Sequence, residues 1–127
     1  MSQLENLLEE KPVLVVDDDP SIVNVISQAL ASEGYPVVGA ANGAEALRSL
    51  SELRPSVVLL DMVMPIMDGW DFIEVSKSSG LDLPIVIMSA YRSAADWARA
   101  TGALDYLPKP FDLAELTAKV ARFHAEG

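Results

Sequence analysis

The run Val57-Val58-Leu59-Leu60 stops abruptly at Asp61, and this junction constrains the chain more than any other feature. Four consecutive apolar residues, two of them β-branched, describe a strand buried on both faces. Such a strand needs a layer above and below it, and in a short chain those layers are helices returning over a parallel sheet. Pro65 cannot continue a hydrogen-bonded ladder and Asp68-Gly69 marks a turn, so the segment after Asp61 is a structured loop. An acid at the end of a buried strand occupies the position where open α/β sheets place their binding crevices.

The same pattern recurs along the chain. Lys11-Pro12 opens Val13-Leu14-Val15-Val16, which ends in Asp17-Asp18-Asp19. Pro20 suits a first helical turn that Asp19 can cap, and Ile22, Val25, Ile26, Ala29 and Leu30 follow at helical spacing up to Gly34. A second strand is expected over 36–40. Asn42-Gly43 then leads into a helix with Ala46, Leu47, Leu50 and Leu53 inward and Pro55 beyond its end. Residues 70–77 read as a third helix with Phe72, Ile73 and Val75 available to pack. Pro84 precedes a fourth strand over 85–88 that ends in Ser89, and an Ala-rich helix over about 93–100 stops at Gly102. The fifth strand covers 104–107 and runs into Lys109-Pro110-Phe111. A last helix over about 113–124 carries Leu113, Leu116, Val120 and Phe123 on one face. Residues 1–11 read as an N-terminal extension, with Leu4, Leu7 and Leu8 at helical spacing, and 12–127 as one domain.

Alternation of five strands with five helices predicts a (βα)5 doubly wound parallel sheet, flavodoxin-like, with strand order 2-1-3-4-5. In that order strands one and three are neighbours at the topological switch. Asp17, Asp18 and Asp61 then converge in one crevice, with Ser89 and Lys109 on the same edge.

Composition narrows what such a site can serve. The 127 residues suffice for one core, and the absence of cysteine excludes disulfides, thiol catalysis and zinc–thiolate sites. A formal charge of −10 repels a phosphate backbone, so direct nucleic-acid binding is not expected. No apolar run is long enough for a bilayer and residues 1–10 lack a basic leader, so the expected location is the cytoplasm, off the membrane.

Three clustered carboxylates repel one another and favour either a proton or a hard divalent cation. Oxygen-only donors suit Mg²⁺, with Mn²⁺ as an alternative. Lys109 adds a positive charge and Ser89 a hydroxyl donor, a set matched to a group bearing several anionic oxygens. The chemistry indicated is phosphoryl transfer, with Asp61 as nucleophile forming an acyl phosphate.

Four segments carry a family resemblance. They are Val-Val-Asp-Asp-Asp-Pro at 15–20, Asp-Met-Val-Met-Pro-Ile-Met-Asp-Gly at 61–69, Met-Ser-Ala at 88–90, and Gly-Ala-Leu-Asp-Tyr-Leu-Pro-Lys-Pro-Phe at 102–111. In this order the chain resembles the receiver domain of two-component response regulators over about residues 12–123. The resemblance implies that Asp61 accepts a phosphoryl group from a histidine kinase or a histidine phosphotransfer domain, and that a downstream protein reads the outcome. It implies Mg²⁺ ligation by Asp18, Asp61 and the Val63 backbone carbonyl, with Asp17 acting through water. It implies a phosphoryl-sensing pair in Ser89 and Lys109, and a switch aromatic in Tyr106. A monomer or a phosphorylation-dependent dimer is expected, as is a cis Lys109–Pro110 bond. Position 89 is Ser where Thr is usual, and the segment from Ser89 to Gly102 is shorter than usual in the family. Val63 and Tyr91, two residues beyond Asp61 and Ser89, are expected to flank the approach of water. Neither is a strong base, so loss of the phosphoryl group should be slow.

Two rivals follow from the same residues. Val13 to Ser21 also fits the strand-then-Asp-x-Asp pattern of haloacid-dehalogenase-like phosphohydrolases, with Asp17 as nucleophile. A pseudo-receiver, acting only through binding, is the other, although none of the expected acids nor the lysine is missing. Asp19 is expected to be a helix cap, and His124, the one histidine, a solvated residue.

Overall fold

The computed structural model describes residues 11–126. The elements run β1 Val13–Val16, α1 Pro20–Ser32, β2 Val37–Ala40, α2 Gly43–Ser49 and β3 Val57–Asp61. They continue α3 Gly69–Ser78, β4 Ile85–Ser89, α4 Ala94–Thr101, β5 Asp105–Pro108 and α5 Leu113–Glu126. All strand pairs are parallel and the order is β2-β1-β3-β4-β5, the flavodoxin-like (βα)5 arrangement. The helix expected from Leu4, Leu7 and Leu8 lies outside the described residues.

Alternate residues of each strand feed two cores. Leu14, Val16, Val58, Leu60, Ile85 and Ile87 face Ala46, Phe72, Ile73 and Ala98 of α2, α3 and α4. Val13, Val15, Val57, Leu59, Val86 and Met88 face Ile26 and Leu30 of α1 and Leu116, Val120 and Phe123 of α5. This is why the strand sequences show no polar alternation. Each fully buried Val, Leu, Ile or Phe contributes about 1.5–3 kcal/mol, so both layers are needed to hold the sheet.

Side-chain caps fix where helices leave the carboxyl edge of the sheet. The Asp19 carboxylate accepts the Ser21 N–H at 2.9 Å and the Ser21 hydroxyl at 2.7 Å. Asn42 and Asp68 cap α2 and α3 by accepting the Glu45 and Asp71 N–H groups at 3.0 and 2.9 Å. Gly34 and Gly102 take φ of +91° and +75° just beyond α1 and α4, where a Cβ would be strained.

Several boundaries and faces differ from expectation. Helix α2 ends at Ser49, so Leu53 packs from the following turn, where the Arg54 guanidinium donates to the Leu50 and Leu53 carbonyls. Strand β5 begins at Asp105; Leu104 gives its N–H to Ile85 O but leaves its side chain half exposed. Val75 and Leu113 are exposed rather than packed, because the buried stripes of their helices run through Phe72, Ile73 and Ser76 and through Leu116, Val120 and Phe123. His124 is not simply solvated. Its Nδ1 lies 2.7 Å from the buried Ser56 hydroxyl and its ring meets Tyr35 edge-on at 4.9 Å. No described helix is long and apolar enough to cross a membrane.

Candidate functional site

The register of the sheet assembles the site. Val16 pairs with Leu60, so Asp17 and Asp18 leave β1 beside Asp61, the last residue of β3. Asp61 pairs with Met88, which places Ser89 at the neighbouring strand end, and Ser89 pairs with Pro108, the residue before Lys109. The Lys109 N–H donates to Ser89 O at 2.8 Å, and the Lys109–Pro110 bond is cis.

One carboxylate oxygen from each of Asp17, Asp18 and Asp61 lies within 4.8 Å of the others. Asp17 is 1% exposed and both its oxygens are engaged, one by the Asp19 N–H at 3.0 Å and the other by Lys109 Nζ at 2.6 Å. Asp61 is 8% exposed. Its Oδ1 accepts the Val63 N–H at 3.2 Å, while its Oδ2 stands 3.6 Å from Lys109 Nζ. Asp18 is exposed at the mouth.

Burial is the main influence pushing the Asp61 carboxyl above the usual range. The Val63 N–H and Lys109 oppose that rise, and the charges of Asp17 and Asp18 reinforce it. Like-charge repulsion, the pressure that the clustered acids suggested from sequence, is therefore the smaller part. The donors fit a divalent cation: all are oxygens, and three carboxylates against the Lys109 ammonium leave a surplus of negative charge.

The hydroxyl of Ser89 is buried and accepts the Tyr91 N–H at 3.0 Å. Val63 and Tyr91 are both at least half exposed beside the site. Tyr106 is not drawn into the cluster. It pairs with Ile87, before the strand end, and is 38% exposed.

Sequence reading missed four features of the structure. Ile66, in the loop after Asp61, takes φ +70° and is largely exposed, a left-handed conformation that a β-branched residue rarely adopts. Pro65 and Asp68-Gly69 signalled a tight loop, but nothing marked this residue. The rings of Trp70, Trp97 and Tyr91 gather in one cluster. Lys77 Nζ donates to Thr101 O at 2.5 Å, and Lys119 pairs with Asp105 at 2.6 Å. These are contacts between distant segments, invisible to local patterns.

A parallel α/β sheet with an acidic cluster, a buried hydroxyl and a lysine at its switch point defines a phosphoacceptor class of domain. Residues 13–121 match the family model described as response regulator receiver domain, and the chain belongs to that family. The transcriptional regulatory protein PrrA of Mycobacterium tuberculosis is 43% identical over 110 residues, covering 85% of this chain and 47% of PrrA. The chain thus spans about half the length of the curated relatives it matches. Among solved structures, the Francisella response regulator 1452 receiver domain superposes with a TM-score of 0.84 at 29% identity, over 91% of this chain and 98% of that one. TrrA of Thermotoga maritima, solved in complex with Mg²⁺ and BeF, gives 0.78 at 32% identity, over 89% and 98%. The module is a receiver-domain phosphoacceptor, with Asp17, Asp18 and Asp61 poised around one crevice. The family match over residues 13–121 sets the receiver reading in place of the dehalogenase-like alternative.

Proposed function

We propose that the domain, residues 12–127 behind a short extension, works in the cytoplasm and takes a phosphoryl group onto Asp61 from the phosphohistidine of a histidine kinase or histidine phosphotransfer domain. One observation carries the choice of Asp61. Both Asp17 oxygens are hydrogen-bonded, whereas Asp61 Oδ2 stands 3.6 Å from Lys109 Nζ, outside hydrogen-bonding reach. With no hydrogen-bond donor on it, that oxygen is less stabilised than either Asp17 oxygen and is the better nucleophile. As the new O–P bond forms, the P–N bond to the donor imidazole breaks and its electron pair stays with the ring nitrogen.

Asp18, Asp61 and the Val63 carbonyl would hold Mg²⁺ (or Mn²⁺) directly and Asp17 through water. When bound, the ion would neutralise charge developing on the phosphoryl oxygens. Lys109 starts on Asp17 at 2.6 Å and needs only a small displacement to reach a phosphoryl oxygen. The Ser89 hydroxyl donates a hydrogen bond to a second oxygen, and Tyr106 responds at the surface. Such a redistribution of hydrogen bonds gives a downstream protein two states to distinguish.

A groove of about 500 Å³ supports the partner reading. It is lined by Ile22, Val25, Phe111 and Leu113 and opens beside Lys109, so an apolar helical face seated there would bring its histidine to the acids. Val63 and Tyr91 flank the site without a strong base, which favours a long-lived phosphoryl group.

The test is incubation with acetyl phosphate and Mg²⁺. Wild type should gain one phosphoryl group and Asp61→Asn none, with the same far-ultraviolet spectrum. Equal labelling of Asp61→Asn would overturn the assignment.

A further inference from the structure

The loop that follows Ser89, the last residue of β4, is tied to the α3–α4 side of the molecule. Ser89 Oγ accepts the Tyr91 N–H at 3.0 Å. The Tyr91 ring lies against Trp97 of α4, with centroids 5.7 Å apart and planes inclined at 43°. Trp97 meets Trp70 of α3 edge-on, at 5.8 Å and 73°. Helix α4 is short, and its far end is fastened to α3 by Lys77, whose Nζ donates to Thr101 O. Trp97 is thus the ring through which the residue after the sensing serine's neighbour touches both helices.

A hydroxyl has one proton and two lone pairs. Ser89 can therefore donate to a phosphoryl oxygen while still accepting the Tyr91 N–H, so the Tyr91 backbone travels with the hydroxyl instead of being released. The ring then shifts against Trp97, and tilted aromatic contacts are sensitive to such shifts because their energy depends on ring geometry. The absent methyl at position 89 weakens no part of this link, since it runs through Oγ and the backbone.

Resting on the phosphoacceptor reading of Asp61, we propose that Tyr91, Trp97 and Trp70 couple the Asp61 site to α4. Phosphoryl occupancy displaces Trp97, and Trp97 in turn acts as a positioning residue for the Ser89–Tyr91 loop. Coupling of this kind is reciprocal: whatever occupancy does to the aromatic cluster, a change in the cluster does to occupancy.

Trp70→Phe leaves Trp97 as the one tryptophan, so its emission reports this ring alone. Beryllofluoride with Mg²⁺ serves as the phosphoryl mimic, and fluorine NMR of bound beryllofluoride reports occupancy independently. Trp97 emission should change as bound beryllofluoride appears, and the change should vanish when Tyr91→Ala, at an exposed position, is added. In the otherwise native chain Trp97→Ala should raise the beryllofluoride needed for half-saturation by about fivefold or more, the lower end of ordinary coupling between sites. Trp97→Phe should restore it. Bound beryllofluoride with unchanged Trp97 emission, or with the same response after Tyr91→Ala, would overturn the coupling while leaving Asp61 as acceptor. No bound beryllofluoride on wild type would overturn the acceptor reading and the coupling with it.

Discussion

Gly69→Ala sets two forces against each other at the base of the Asp61 loop. Gly69 is the first residue of α3, and its N–H donates to Met62 O at 3.1 Å. Helix propensity alone favours alanine by about 1 kcal/mol. A Cβ placed there, however, would lie 2.6 Å from Met62 Sδ, 2.7 Å from Met62 Cα and 2.9 Å from Asp61 O. Carbon contacts settle at about 3.5–4.0 Å, and two of these three neighbours are backbone atoms that cannot rotate aside. Overpacking of this kind costs about 1–3 kcal/mol, and the backbone contacts place it toward the upper end. The net expectation is a loss of about 1–2 kcal/mol, at about 3–6 °C in Tm per kcal/mol for a domain of this size. Urea unfolding should show a lower midpoint with an unchanged slope. Because the clash falls on Asp61 itself, labelling by acetyl phosphate should fall in the folded variant too. Gly80→Ala is the control: it meets nothing within 4 Å, but φ of +80° strains it. It should lose about 1–2 kcal/mol while labelling normally. A Gly69→Ala protein as stable as wild type would refute the close-packing argument.

Other expectations follow from the same geometry. Lys109→Ala strips the buried Asp17 of its ion pair and should lower stability by about 2–4 kcal/mol. It should still bind Mg²⁺ yet show much smaller beryllofluoride-induced NMR shifts; shifts as large as wild type would remove Lys109 from the sensing role. Val63→Asn and Tyr91→Glu, singly and together, should hasten phosphate release by admitting and polarising water, and unchanged or slower decay would place the water elsewhere. His124→Ala should cost about 1 kcal/mol by leaving the buried Ser56 hydroxyl unpaired. Pairing it with Ser56→Ala should recover part of that loss in urea denaturation, and fully additive losses would count against the contact.

The parts of the molecule legible in the sequence are those governed by local rules. Unbroken apolar runs such as Val57 to Leu60 required layers on both faces, and α1 with α5 and α2 with α3 and α4 supply them. The convergence of Asp17, Asp18 and Asp61 followed from strand order, because all parallel strands end on one edge. Less was legible where a residue's fate depends on a distant segment. Val75 has the right hydropathy for a core but the wrong helical angle, and His124 finds Ser56, 68 positions away. The dominance of burial over charge repulsion at Asp61 required knowing how deeply β3 lies. Ile66 had no local signal at all, since its side chain argues against the conformation that its backbone adopts.

The central claim is that Asp61, not Asp17 or Asp18, carries the phosphoryl group. Reduction by borohydride converts an aspartyl phosphate to homoserine, and peptide mass spectrometry then locates the altered residue. After acetyl phosphate and Mg²⁺, homoserine should appear at position 61 in wild type and nowhere in Asp61→Asn. Homoserine at position 17 or 18, or its persistence in Asp61→Asn, would contradict the account.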